Sequence, residues 1–245
     1  MKITKLVILF NYKKIVLGAF ISFILFLLSF QVDSHEWILF LRIIGVLILL
    51  NIIASVTASY ILYDKSDLYE LNNLKDIVDW NKTEKAVLVH ASFDPLSRHL
   101  EEKYPKLHLT VCDIYGNRHE HESGINVSKK LFPPNEKEIK ISPNQLPFED
   151  GSQDIILAVT AVHEILNHDQ RVLFFKEAKR VVKKGGLIII SEQFRDVTNF
   201  IFFNIGAFHF LSRKQWEKAI FSAGLKISEN KKITPFADML VIRND

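Results

Sequence analysis

The stretch from Leu146 to Glu192, LPFEDGSQDIILAVTAVHEILNHDQRVLFFKEAKRVVKKGGLIIISE, constrains the fold more than any other part of the chain. It reads as loop, buried strand, loop, amphipathic helix, Gly-Gly turn and buried strand. Asp154 to Thr160 and Leu187 to Ser191 are short apolar runs rich in β-branched residues, the pattern of strands covered on both faces. Between them, Asp169 to Lys183 puts Val172, Phe175, Ala178, Val181 and Val182 toward one side, as a helix with one apolar face does. Strand, helix and strand in that order imply a parallel α/β sheet.

The flanking sequence extends the pattern. Ala86 to Ala91, Leu107 to Asp113 and Lys137 to Ser142 read as three earlier strands, with a helix over Pro95 to Lys103. Asn117 to Phe132 is polar and reads as a short helix plus loop. After the fifth strand come a helix over Arg213 to Ala223 and two closely spaced strands, Leu225 to Ile233 and Phe236 to Ile242. Asp64 to Trp80 spaces Leu68, Leu71, Leu74, Ile77 and Val78 as a helix would, and predicts a linker helix over 64–80.

The first quarter is different. Residues 15–32 and 43–63 carry no charge, and each is long enough to cross a hydrocarbon core of about 30 Å as a helix. Lys2, Lys5, Lys13 and Lys14 precede the first span, Asp33 and Glu36 lie between the spans, and Arg42 stands near the start of the second. The positive-inside rule then puts the N-terminus and everything after Tyr63 in the cytoplasm. A cleaved signal peptide fits the lysines, but no small-x-small cleavage site follows and a second span comes at once. A buried hairpin would need a large core around two helices that are apolar on every side. The expectation is a membrane anchor over 1–63, a linker over 64–80 and an α/β domain over 81–245, at the cytoplasmic membrane with the lipid bilayer as a partner.

Residues 1–63 carry a net charge of +3, equal to that of the whole chain, so the remainder is neutral. A neutral domain without a Lys/Arg stripe is a poor nucleic-acid binder. The single cysteine, Cys112, excludes an internal disulfide and a Cys-cluster zinc site. His163, Glu164 and His168 approach the zinc-protease motif, but five residues of helix turn through about 500°, so the two histidines would not share a face. No metal is expected.

The order of elements, the LPFEDGSQD run before the fourth strand and the acidic end of the second strand together resemble the class I S-adenosylmethionine (SAM) dependent methyltransferases. The resemblance covers about Asp64 to the end. It implies a Rossmann-like seven-stranded α/β methyltransferase sheet behind a two-helix transmembrane hairpin, with SAM as cofactor. Asp113 matches the family's carboxylate that bonds the ribose hydroxyls. The glycine-rich loop departs from the family: His90 stands at its acidic position, and Ser92, Asp94 and Leu96 at its three glycines. Asp94 before Pro95 also fits a helix cap. Ser142, with Asn144 in the loop beyond it, occupies the adenine-side acidic position.

His163 and Glu164, after the fourth strand, fall where the family lines its reaction centre and could supply a general base; helix capping or ion pairing is the plainer reading. Glu192 and Arg195 after the fifth strand, and Asn204 and His209 within the Phe-rich VTNFIFFNIGAFHFL, are candidate substrate contacts. That segment could form a hydrophobic lid, dip into the membrane interface or simply pack in the core. Anchor and Phe-rich segment together suggest a small lipophilic methyl acceptor. The missing glycines keep a second reading open, a membrane-tethered binding or scaffold module that has lost catalysis. A hydrolase or NAD enzyme is disfavoured, because the nucleophile elbow and an intact dinucleotide loop are both absent.

Overall fold

The computed structural model describes residues 3–115 and 129–245, in two compact units that meet between Lys65 and Ser66. The short helix expected over 117–132 falls largely outside the described residues.

The first unit is a helical hairpin: α1 (Ile3–Leu28), α2 (His35–Tyr60) and a π-helical turn, Ile61–Lys65. α1 begins well before the span expected from residue 15 and takes in Lys5, Lys13 and Lys14. The Asp64 carboxylate is the reason: it accepts from the Ile3 and Thr4 amides (2.6 and 3.1 Å) and supplies the acceptors that a helix start lacks. Ser22 Oγ donates to the Gly45 carbonyl (2.8 Å), where the missing side chain lets the helices approach. Both helices are long and apolar enough to cross a membrane, and only 6% of each apolar window is buried within the protein.

In the second unit the segment after Ser66 does not form the expected linker helix. It carries only a 3-10 turn, Asn72–Leu74, preceded by Leu71 at a φ of 55°. The Asp67 carboxylate draws the chain out of the helix by accepting from Asn72 Nδ2 and the Asn73 amide. Leu68, Leu71, Leu74 and Val78 are nonetheless all buried, so their spacing reported burial rather than helix.

Seven strands follow: β1 (Lys85–His90), β2 (His108–Asp113), β3 (Ile139–Lys140), β4 (Gln153–Val159), β5 (Val182–Gln193), β6 (Lys226–Lys232) and β7 (Ala237–Arg243). They form one sheet in the order β3-β2-β1-β4-β5-β7-β6. All neighbours are parallel except β7, which runs antiparallel to both β5 and β6. The expected third strand is cut to two residues. The order reverses between β1 and β4, so the carboxyl ends of β1, β2, β4 and β5 share one edge beside a topological switch point.

Helices α3 (Ser97–Lys103), α4 (His168–Val181), α5 (Val197–Phe203) and α6 (Arg213–Ser222) complete the described part of the unit. Asn167 caps α4, its side chain accepting from the Asp169 and Gln170 amides. Phe174, Phe175, Ala178 and Val181 bury the inner face of α4 in a core shared with Val87, Val89, Ile156, Ile188, Ile190 and Trp216. α4 ends at Val181, two residues sooner than expected. Asn244 stops it, its side-chain amide donating to the Lys179 and Val182 carbonyls. β5 therefore starts before the two glycines. A Cβ on Gly186 would lie 2.7 Å from the Asp154 carbonyl, so only glycine fits there.

Arg180 fixes the loop that leads into β4. Its guanidinium donates to the Leu146 and Phe148 carbonyls (3.0 and 2.9 Å) and pairs with Asp150 and Glu177. Arg180→Met should lower stability by about 2–3 kcal/mol, because two part-buried carbonyls and the Glu177 carboxylate lose charged donors together. A thermal melt of the full-length protein reads this as a lower midpoint; an unchanged midpoint would contradict it.

Candidate active site

Two groups of polar side chains stand at the carboxyl edge of the sheet. The first belongs to β1, β2 and β3. Asp113 ends β2 and is buried; its Oδ1 accepts from the Ser92 amide (3.0 Å) and the Tyr115 amide (2.9 Å). Ser92 has a φ of 58°, the left-handed conformation that a glycine adopts freely. The loop thus makes the turn expected of a glycine without one, held by Asp113.

Asp94 Oδ1 accepts from the Leu96 and Ser97 amides (3.0 and 2.9 Å), but α3 starts at Ser97 with Leu96 as its N-cap and Pro95 outside it, so Asp94 is not the expected N-cap before a helical Pro95. Asp94 Oδ2 is buried and has no hydrogen-bond partner among the described residues. His90 ends β1, buried, with Nε2 3.0 Å from Glu138 Oε2 at an angle that makes no hydrogen bond. Ser142 and Asn144 are exposed and bond each other (2.5 Å), closing the turn after β3. Cys112, buried one residue before Asp113, is inert: burial first, and Glu138 second, push its thiol up to about 12.

The second group belongs to β4, β5 and the segment after α5. Glu192, 1% exposed, accepts at Oε1 from the Ala161 and Val162 amides (3.1 and 2.9 Å). Its Oε2 lies 2.7 Å from His163 Nδ1. His163 Nε2 stands 3.5 Å from Glu164 Oε1, and His209 Nε2 stands 3.1 Å from that same oxygen. The two imidazoles meet edge to face at 5.1 Å.

The charges in this group oppose one expectation. Burial works against a charged His163, but Glu192 and Glu164 outweigh it and raise its pKa to about 10. Burial likewise opposes the Glu164 carboxylate, and hydrogen bonds from His163 and His209 overcome it, holding Glu164 well below the usual range. As it stands, His163 is a proton-bearing donor at neutral pH and not a ready base.

Of the expected substrate contacts, only His209 joins His163 and Glu164 at an accessible position. Glu192 is buried and contacts His163 rather than the accessible edge. Arg195 turns to Gln215 (2.8 Å) and so ties the chain to α6. Asn204 is exposed and ends α5 at a φ of 51°. Two residues escaped the sequence reading. Tyr69 OH bonds Thr160 Oγ1 (2.9 Å) and its ring meets Phe93 in the loop after β1. Glu138 faces His90. Neither follows from local sequence, since each contact joins distant segments.

The Phe-rich segment is two-sided. Asn199, fully buried, donates to the Phe194 and Phe236 carbonyls, and Phe202 and Phe203 pack on Phe236. Val197 and Ile205 are 75% and 78% exposed, and Phe200, Ile201 and Phe208 are exposed beside them. The core reading thus holds for Asn199, Phe202 and Phe203 and not for the exposed residues.

A sequence profile described as "Methyltransferase domain" matches residues 96–190. No curated protein matches the chain. Among solved structures, an S-adenosylmethionine-dependent methyltransferase from Clostridium acetobutylicum is 10% identical, with 73% of this chain and 91% of that one covered at a TM-score of 0.51. The pyocyanin biosynthetic protein PhzM is 10% identical, covering 78% and 58% at 0.53. PigF, solved with S-adenosylhomocysteine, is 14% identical, covering 72% and 61% at 0.51. At such identities the likeness is one of fold. The profile match over residues 96–190 and the sheet order together give the domain of Ser66–Asp245 the class I methyltransferase fold.

Proposed function

We propose that the protein transfers the methyl group of SAM to a small lipophilic acceptor at the cytoplasmic face of a membrane. The observation that carries this reading is the β1–β2 edge. There a buried carboxylate, Asp113, holds a glycine-like turn at Ser92, and Asp94 keeps a buried oxygen without a partner among the described residues. These residues fit the cofactor. Asp113 offers acceptors to ribose hydroxyls, and Asp94 Oδ2 offers a carboxylate to the ammonium of the amino-acid end. When bound, SAM supplies an electrophilic methyl group on a sulfonium.

His163, Glu164 and His209 are assigned to the acceptor end, where they hold a polar nucleophile by hydrogen bonds. The exposed apolar side of Val197 to Phe208 is assigned to the acceptor's hydrocarbon part, excluding water from it. The two apolar helices hold the domain where such molecules concentrate. An inactive binding module draws support from the absent glycines, but Ser92 already takes the backbone conformation that a glycine is needed for.

Membranes containing the full-length protein, given methyl-labelled SAM and a lipid extract, should carry label into the organic-soluble fraction. Label confined to polar small molecules would contradict the lipophilic assignment. A cytoplasm-only reporter fused to the C-terminus should be active, and a silent one would overturn the topology.

A further inference from the structure

We propose that His163, Glu164 and His209 form a binding site for a divalent transition-metal cation. One ligand atom from each of the three residues lies within 4.8 Å of the other two. Ligands around a tetrahedral cation at bond lengths of about 2.1 Å sit about 3.4 Å apart. The two distances to Glu164 Oε1, 3.1 and 3.5 Å, are already at that spacing. Any remaining adjustment falls to His209, half exposed at the end of the 3-10 turn Asn204–His209.

Glu192 supplies the second observation. A metal-bound histidine ordinarily gives its other ring nitrogen to a carboxylate, which fixes the tautomer and the ring plane. Glu192 does this to His163 at 2.7 Å, so Nδ1 keeps its hydrogen while Nε2, which faces Glu164, gives up its proton to solvent when a cation binds. The carboxylate is itself held by two backbone amides and is 1% exposed. Burying a carboxylate is costly, and orienting one imidazole is what it accomplishes here.

Two imidazoles and one carboxylate select zinc-like cations over magnesium or calcium, which prefer all-oxygen shells. The cluster is closed toward the core and accessible at His209, leaving a coordination position for water or for an acceptor oxygen. The sequence argued against metal because His163 and His168 cannot share a helical face. The structure leaves His168 at the start of α4 and brings in His209 instead. The site stands whether or not the domain transfers methyl groups.

The test uses untagged full-length protein in detergent, stripped with chelator and titrated with Co2+ as a spectroscopic substitute for zinc. We expect a saturable ligand-field band at a single equivalent per chain, displaced by Zn2+ and unaffected by Mg2+. His209→Ala and Glu164→Gln should each weaken binding at least tenfold, with chelator-treated His209→Ala melting like the wild type. Glu192→Gln should weaken binding roughly tenfold through His163 alone. No saturable band, displacement by Mg2+, or equal affinity in the His209 and Glu164 variants would overturn the proposal.

Discussion

Glu192→Ala should lower the stability of the protein by roughly 3–5 kcal/mol, the largest effect expected of any single substitution at the site. Removing the carboxylate leaves the buried amides of Ala161 and Val162 without acceptors and His163 without its 2.7 Å partner. Each unsatisfied buried donor costs about 1–3 kcal/mol. For a domain of this size the melting midpoint should fall by roughly 10 °C. Glu192→Gln keeps an oxygen for the two amides and should lose much less stability, yet it turns an amide or a neutral oxygen toward His163. The two variants therefore separate holding the loop after β4 from orienting the histidine. Full-length protein melted in detergent gives the comparison, and a Glu192→Ala protein as stable as the wild type would refute this description of the site.

Asp113→Ala should weaken SAM binding by roughly 10- to 100-fold, the worth of one or two hydrogen bonds to a charged acceptor. The effect has two routes. The carboxylate is the proposed ribose acceptor, and its Oδ1 also holds the Ser92 and Tyr115 amides in place. Asp113→Asn keeps an oxygen for those amides while losing the charge. If Asn restores the melting midpoint but not the affinity, the carboxylate acts on the ligand directly. If both Ala and Asn bind SAM as the wild type does, Asp113 has no part in the cofactor site.

The sheet was legible because its strands are apolar runs whose burial is complete. Ile155, Ile156, Leu157, Ile188, Ile189 and Ile190 announce β4 and β5 by composition alone. The 64–80 segment was not legible, because its leucines are spaced for a helix while Asp67 offers the backbone a competing bond. The end of α4 was hidden for a related reason: its terminator, Asn244, lies more than 60 residues downstream.

The site divides along the same line. Asp113 could be read from its place at the end of a strand, and His163 and Glu164 from theirs. The role of Glu192 depends on a neighbour 29 residues away and that of His209 on one 45 residues away, so spacing could not reveal either. Ser92 illustrates the limit of motif reading. The missing glycine suggested a lost turn, but the turn persists, because the Ser92 amide donates to Asp113 and offsets the strain of a left-handed serine.

The most direct test of the account is calorimetric titration of SAM and S-adenosylhomocysteine into the full-length protein in detergent, with Asp113→Ala alongside. Saturable binding of both ligands by the wild type, weakened at least tenfold in the variant, is the expected result. A well-folded protein that binds neither would contradict it and leave a methyltransferase-fold domain that does not use the cofactor.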